Sequence, residues 1–157
     1  MPRLVKGGKY VYAWTRIGSS GRIIIAPEAL EDDELNDMDN LILLPGSKSS
    51  GGFGLCPQKS LKDFKTGLLT EVRPELWEDR AHEGEIIEFR AKPYCWVKLR
   101  EGEITIPPAT LKKYDIQVLD ILLMIRGSGL ALGFAVRGYI VEEAKRHNEL
   151  EIYEPKE

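Results

Sequence analysis

One segment of this chain occurs twice. The stretch GRIIIAPEALEDDELNDMDNLILLPGSKSSGGFGL, from Gly21 to Leu55, lies without a gap over GEITIPPATLKKYDIQVLDILLMIRGSGLALGFAV, from Gly102 to Val136, at a constant shift of 81 residues. Gly21/Gly102, Ile23/Ile104, Ile25/Ile106, Pro27/Pro108, Leu30/Leu111, Asp39/Asp120, Leu41/Leu122, Gly46/Gly127, Ser47/Ser128, Gly52/Gly133 and Phe53/Phe134 are identical pairs. Upstream, YAWTRIGSSG matches YCWVKLREG once a residue is dropped from the turn, which pairs Trp14 with Trp96 and Arg16 with Lys98. Two copies of one sequence must build two copies of one pattern of elements, and neither is large enough to bury a good core alone. The halves are therefore expected to pack together.

Each copy reads as strand, strand, short helix, strand, strand. KYVYAWTRI and YCWVKL alternate as half-buried strands, and the β-branched runs RIIIA and EITIP follow a glycine turn. Proline ends each of these runs and suits the first turn of a helix that points Leu30 and Leu35, or Leu111 and Ile116, inward. Asp39 and Asp120 precede the next strands, and PGSKSSGG and RGSGLALG are hairpin turns. PQKSLKDFKTG, closed by Gly67, and GYIVEEAKRHNE read as trailing helices. The expected organisation is repeat 1 over 8–67, an ordered connection over 68–91 that contains Trp77 and the strand-like EIIEFRA, repeat 2 over 92–148, and a tail over 149–157.

Composition narrows the function. The first twenty residues lack the apolar core of a secretory signal, and LDILLMI is far short of the roughly 20 residues that span a bilayer, so a cytoplasmic protein without membrane contact is expected. Cys56, Cys95, His82 and His147 stand apart without ligand spacing; no metal site and no cofactor are expected, and the thiols read as buried. APEALEDDELNDMD, Ala26 to Asp39, carries seven acids and no Lys or Arg, but its apolar residues interrupt calcium-loop spacing, leaving a solvated helix face. GSKSSGGFG lacks the Gly-Lys-Ser/Thr ending of a phosphate loop and reads as a hairpin. Trp14, Trp96, Phe53 and Phe134 recur in both copies and read as core.

GRIIIA followed by the leucine, aspartate and glycine spacing, and more closely GEITIPPATLKKYDIQVLDIL, resemble the SpoVT/AbrB-type swapped-hairpin domain, over about Tyr10–Leu55 and Tyr94–Val136. The resemblance implies a mainly β fold with short helices (α+β), two ββαββ repeats packed as an intramolecular pseudo-dimeric swapped-hairpin barrel. It also implies DNA binding in a transcriptional regulator, with no catalysis; no acid/base pair or nucleophile constellation gathers in the sequence either.

Carried over position by position, Arg16 and Arg22 match the family's basic strand residue and turn arginine in repeat 1. Lys98 matches in repeat 2, where Glu103 takes the arginine's place. The glycine of the family's Gly-Asp turn is replaced by Met38 and Leu119. A DNA face would draw on Arg16, Arg22, Lys98, Arg100, Lys112 and Lys113, with double-stranded DNA as partner and further self-association into a homo-oligomer. The alternative is a protein-interaction module on the same fold, antitoxin-like or an adaptor, holding a protein partner through Glu31, Asp32, Asp33 and Glu34. The net charge of −3 speaks against a protein that coats nucleic acid.

Overall fold

The computed structural model describes residues 3–5, 9–58, 81–126 and 132–156. Residues 59–67 of the expected helix PQKSLKDFKTG, and Trp77, lie outside this set. The chain is mainly β with three short helices among the described residues. Its strands are β1 (Arg3–Val5), β2 (Lys9–Arg16), β3 (Arg22–Ile24), β4 (Asn40–Pro45), β5 (Phe53–Pro57), β6 (Ile87–Phe89), β7 (Lys92–Lys98), β8 (Glu103–Thr105), β9 (Ile121–Arg126), β10 (Leu132–Ala135) and β11 (Ile152–Tyr153). The helices are α1 (Pro27–Asp32), α2 (Pro108–Lys113) and α3 (Tyr139–Ala144), the last falling within the expected GYIVEEAKRHNE.

The strands pair between repeats as much as within them. The main sheet runs β1-β2-β9-β10-β5-β4-β7-β6, with β11 added parallel to β2, and β3 pairs with β8 in a separate ribbon. Around its centre the order is a palindrome: the first strand of each repeat lies beside the third strand of the other, and the two fourth strands meet. The register is equally symmetric. Ile23 faces Ile104 across the ribbon and Phe53 faces Phe134 across β5 and β10, each residue opposite its own repeat equivalent. A pseudo-two-fold axis therefore passes through both pairs. Trp14 faces Leu123 as Trp96 faces Ile42, which places the single-residue gap upstream of the glycines where the alignment has it.

Backbone hydrogen bonds repeat the exchange. Ile25 N donates to Gly102 O and Ile106 N to Gly21 O, both at 3.0 Å; Met38 N donates to Leu99 O at 2.7 Å and Leu119 N to Ile17 O at 2.8 Å. The repeated aspartates explain themselves here. Asp39 Oδ2 accepts from Asn36 N and Asp120 Oδ2 from Gln117 N, at 2.9 and 3.0 Å, pinning the turn that delivers each chain into β4 or β9.

Alternation along the strands sends Ile17, Ile23, Ile25, Leu41, Leu43 and Phe53, with their counterparts Leu99, Ile104, Ile106, Leu122, Met124 and Phe134, into one core. At its centre Phe53 and Phe134 stack with centroids 4.6 Å apart, and Tyr114 meets Phe53 edge-on. The tryptophans depart from the expectation. Ala13 and Thr15 point inward, so Trp14 stands on the opposite face of β2, against a second cluster that includes Val141, Ala144 and Leu150. Trp96 lies in a third cluster with Ile42, Cys56 and Ile87, its Nε1 donating to Ala81 O at 2.9 Å. The sheet thus buries one face in the shared core, and each of the two smaller clusters on its other face joins strands of both repeats with a flanking segment.

Candidate interaction surfaces

The charged positions singled out by the sequence fall into two groups with different surroundings. Arg22 lies on β3, where the ribbon brings it toward β8. Its Nε and Nη2 both donate to Glu103 Oε1, at 2.9 and 2.7 Å, and Nη1 donates to Lys156 O at 3.0 Å. Glu103 is the repeat equivalent of Arg22, so the arginine-to-glutamate difference between the copies becomes an ion pair beside the pseudo-axis. Arg16, at the end of β2, donates to Glu154 at 2.8 Å and to Leu119 O at 3.0 Å. The segment after β11 supplies both Glu154 and the Lys156 carbonyl, and β11 itself is held on β2 beside Trp14 and Thr15.

Arg100 is bound through its two Nη atoms to the two carboxylate oxygens of Glu83, each at 2.9 Å, while Lys98 N donates to Glu83 Oε2 at 3.0 Å. Burial by itself would raise the Glu83 carboxyl; the Arg100 fork, the Lys98 N–H and the two positive charges outweigh it and hold it below the ordinary range. Thr110 Oγ1 donates to Gly84 O at 2.6 Å, so the segment carrying Glu83 is fastened to repeat 2. Three of the six basic positions expected on a DNA face, Arg16, Arg22 and Arg100, are thus ion-paired. Lys112 and Lys113 in the last turn of α2 are exposed and form no ion pair among the described residues.

The acidic group sits on and just after α1. Glu31, Asp32 and Glu34 are exposed, and Tyr12 OH donates to Asp32 Oδ2 at 3.0 Å. Asp33 ends the helix and is half-buried; its Oδ2 is shut away from solvent and accepts no hydrogen bond among the described residues. Burial raises its carboxyl pKa, the Arg126 charge opposes this and the neighbouring Asp32 adds to it. The equivalent position in repeat 2 is Tyr114, buried, with its OH donating to Leu43 O at 3.3 Å. Beside α1 lies an open groove of about 570 Å³ with Leu30, Leu35 and Pro27 along it and Glu31 and Glu34 at its rim. The corresponding groove by α2, about 440 Å³, is lined by Lys112, Asp115, Ile116, Gln117 and Asp120.

Cys56 and Cys95 are free and buried, and burial pushes each thiol up to about 12, far from a nucleophilic thiolate. Among the described residues no three His, Cys, Asp or Glu side chains gather in a metal-binding cluster, and no helix is long and apolar enough to cross a membrane. The chain matches no family model, no curated protein and no solved structure.

Proposed function

We propose that the chain is a single-chain pseudo-dimer of the SpoVT/AbrB swapped-hairpin type that works as a protein-interaction module, its partner docking on the acidic helix α1. The reciprocal exchange of strands about Ile23/Ile104 and Phe53/Phe134 supports the fold part of this reading. The functional part rests chiefly on one observation: Arg22, in the family's turn-arginine position, is held by Glu103, which stands in the same position of the other repeat. A phosphate would have to displace that carboxylate, and Glu154 and Glu83 present the same obstacle at Arg16 and Arg100. The α1 groove, by contrast, offers exposed acids beside leucine side chains, which suits a basic segment carrying apolar anchors.

A fluorescent helical peptide of alternating lysine and leucine pairs serves as the probe. Saturable binding, weakened at least about tenfold by Glu31→Gln, Asp32→Asn, Asp33→Asn and Glu34→Gln together, supports the reading, since several charge pairs across an interface are lost at once. Binding unaffected by that change removes it. DNA binding is the second reading, favoured by Lys112 and Lys113, which are exposed and form no ion pair among the described residues. It requires that a duplex bind at low salt and that Lys112→Ala with Lys113→Ala abolish the binding.

A further inference from the structure

The turn between β4 and β5 gathers polar side chains, and Ser47 and Ser50 help to fold it: Ser47 Oγ accepts from Ser50 N at 3.2 Å and Ser50 Oγ donates to Gly51 O at 3.4 Å. Two backbone bonds close it, Gly46 N to Gly52 O at 3.1 Å and Gly51 N to Ser47 O at 2.8 Å. The glycines that begin and end it recur in repeat 2, but Lys48, Ser49 and Ser50 have given way to Gly129, Leu130 and Ala131. Ser47 Oγ lies 3.1 Å from Ser49 Oγ and 2.9 Å from Ser50 Oγ, so three hydroxyls gather at one point on the surface.

The turn is also not alone. Val136 N and Arg137 N both donate to Ser50 O, at 2.9 and 3.1 Å, and Arg137 Nη2 donates to Lys48 O at 3.0 Å. Gly138, at φ +102°, sits so close to the Ser49 carbonyl that a side chain there would collide with it. A cleft of about 300 Å³ opens between the turn and the start of α3, with Ile125, Ala135 and Ile140 along it and Tyr139, 55% exposed, at its edge. Arg137 forms no ion pair among the described residues. The acids on α3 have cations of their own, Glu142 with Lys145 at 2.9 Å and Glu143 with Arg146 at 3.7 Å.

From this arrangement we infer that the Ser47–Ser50 turn and Arg137 form a binding site for a small organic oxyanion, a phosphomonoester or carboxylate with a compact apolar body. A guanidinium with donors to spare beside hydroxyl donors is the chemistry that holds such a head group, and the apolar residues of the cleft hold the body. The volume limits the ligand to a small molecule. This site lies apart from the α1 groove and stands whether or not a protein docks there.

The test is an amide NMR titration of the full chain with phenyl phosphate, benzoate, inorganic phosphate and phenol. Phenyl phosphate or benzoate is expected to move the amides of Ser47 to Gly51 and Arg137 to Ile140, whichever binds more tightly naming the head group. Phenol and inorganic phosphate bind at least about tenfold more weakly, each lacking one half of the recognition. Arg137→Gln weakens the better ligand by at least about tenfold. Because that change also removes the bond to Lys48 O, Tyr139→Ala is the second variant: it weakens the aromatic ligand and leaves inorganic phosphate unchanged. Absence of localised shifts, phenol binding as well as the anions, or titrations that both variants leave unaltered would each overturn the inference.

Discussion

Helices α1 and α2 hold equivalent places in the two repeats and begin alike, with a proline in the first turn after an uncapped residue, Ala26 or Pro107. They differ in what they show to solvent and in how they end. Glu31 and Asp32 stand where α2 has Lys112 and Lys113, and Asp33, with a buried unpartnered oxygen, stands where α2 has Tyr114 completing the core. The second helix builds the same element without the acids. They are therefore a local addition, and at Asp33 one that costs stability, since its Oδ2 is buried without a hydrogen bond among the described residues.

The largest test of the equivalence is at the pseudo-axis. Phe53→Ala and Phe134→Ala should each cost about 3–5 kcal/mol, alike to within about 1 kcal/mol, because each opens the same stacked pair in the same core. Urea unfolding measures both, and a gap much wider than that would mean that the two halves are not stabilised as one unit.

The turn glycines should break the symmetry. Both have positive φ, +89° at Gly21 and +78° at Gly102, but a methyl at Gly21 would run into the Ile106 carbonyl while one at Gly102 meets, among the described residues, only Leu30 Cδ1, at 3.6 Å. Gly21→Ala is expected to cost about 3 kcal/mol and Gly102→Ala about 1 kcal/mol, again by urea unfolding.

Asp33→Asn sharpens the contrast between the helices. The carboxyl pKa of Asp33 is raised in the folded chain, chiefly by burial, so the folded state binds its proton more tightly than the unfolded state does. Stability contributed by this group is present at low pH and falls as pH rises from the ordinary aspartate range through the raised value. The asparagine variant should therefore be more stable near neutral pH, by no more than about 1 kcal/mol because solvent screens a half-buried group, and gain nothing in acid, as thermal melts across pH would record. The smallest effect concerns Arg22 and Glu103. A double-mutant cycle with Arg22→Ala and Glu103→Ala should give a coupling of about 0.5–1 kcal/mol, modest because both side chains are about a third exposed.

Much of the local structure was legible. The positions of β3, α1, β4 and β5 and of their counterparts follow from β-branched runs, prolines and glycine turns, signals that act within a few residues. Met38 and Leu119 show what else such a comparison holds. Both adopt φ near +70°, at 71° and 72°, in the place where the family resemblance puts a glycine, so the backbone there takes a conformation that glycine would adopt more readily. The tryptophans were less legible: recurrence marked them as packed, but only the phase of alternation against Ala13 and Thr15 puts Trp14 outside the main core. Of the candidate surfaces, the acidic helix could be read directly, whereas the pairing of Arg16 with Glu154 and of Arg100 with Glu83 could not.

By itself the sequence determined that one pattern of elements is built twice and which positions correspond, because periodicity and turn chemistry act along a few neighbouring residues. The tertiary structure decided that these strands find their partners in the other repeat, that Arg22 forms an ion pair with its own counterpart Glu103, and that a serine turn meets Arg137. Those contacts join residues some 50 to 115 positions apart, and the burial and pairing energies that select them exist only once both repeats share one core.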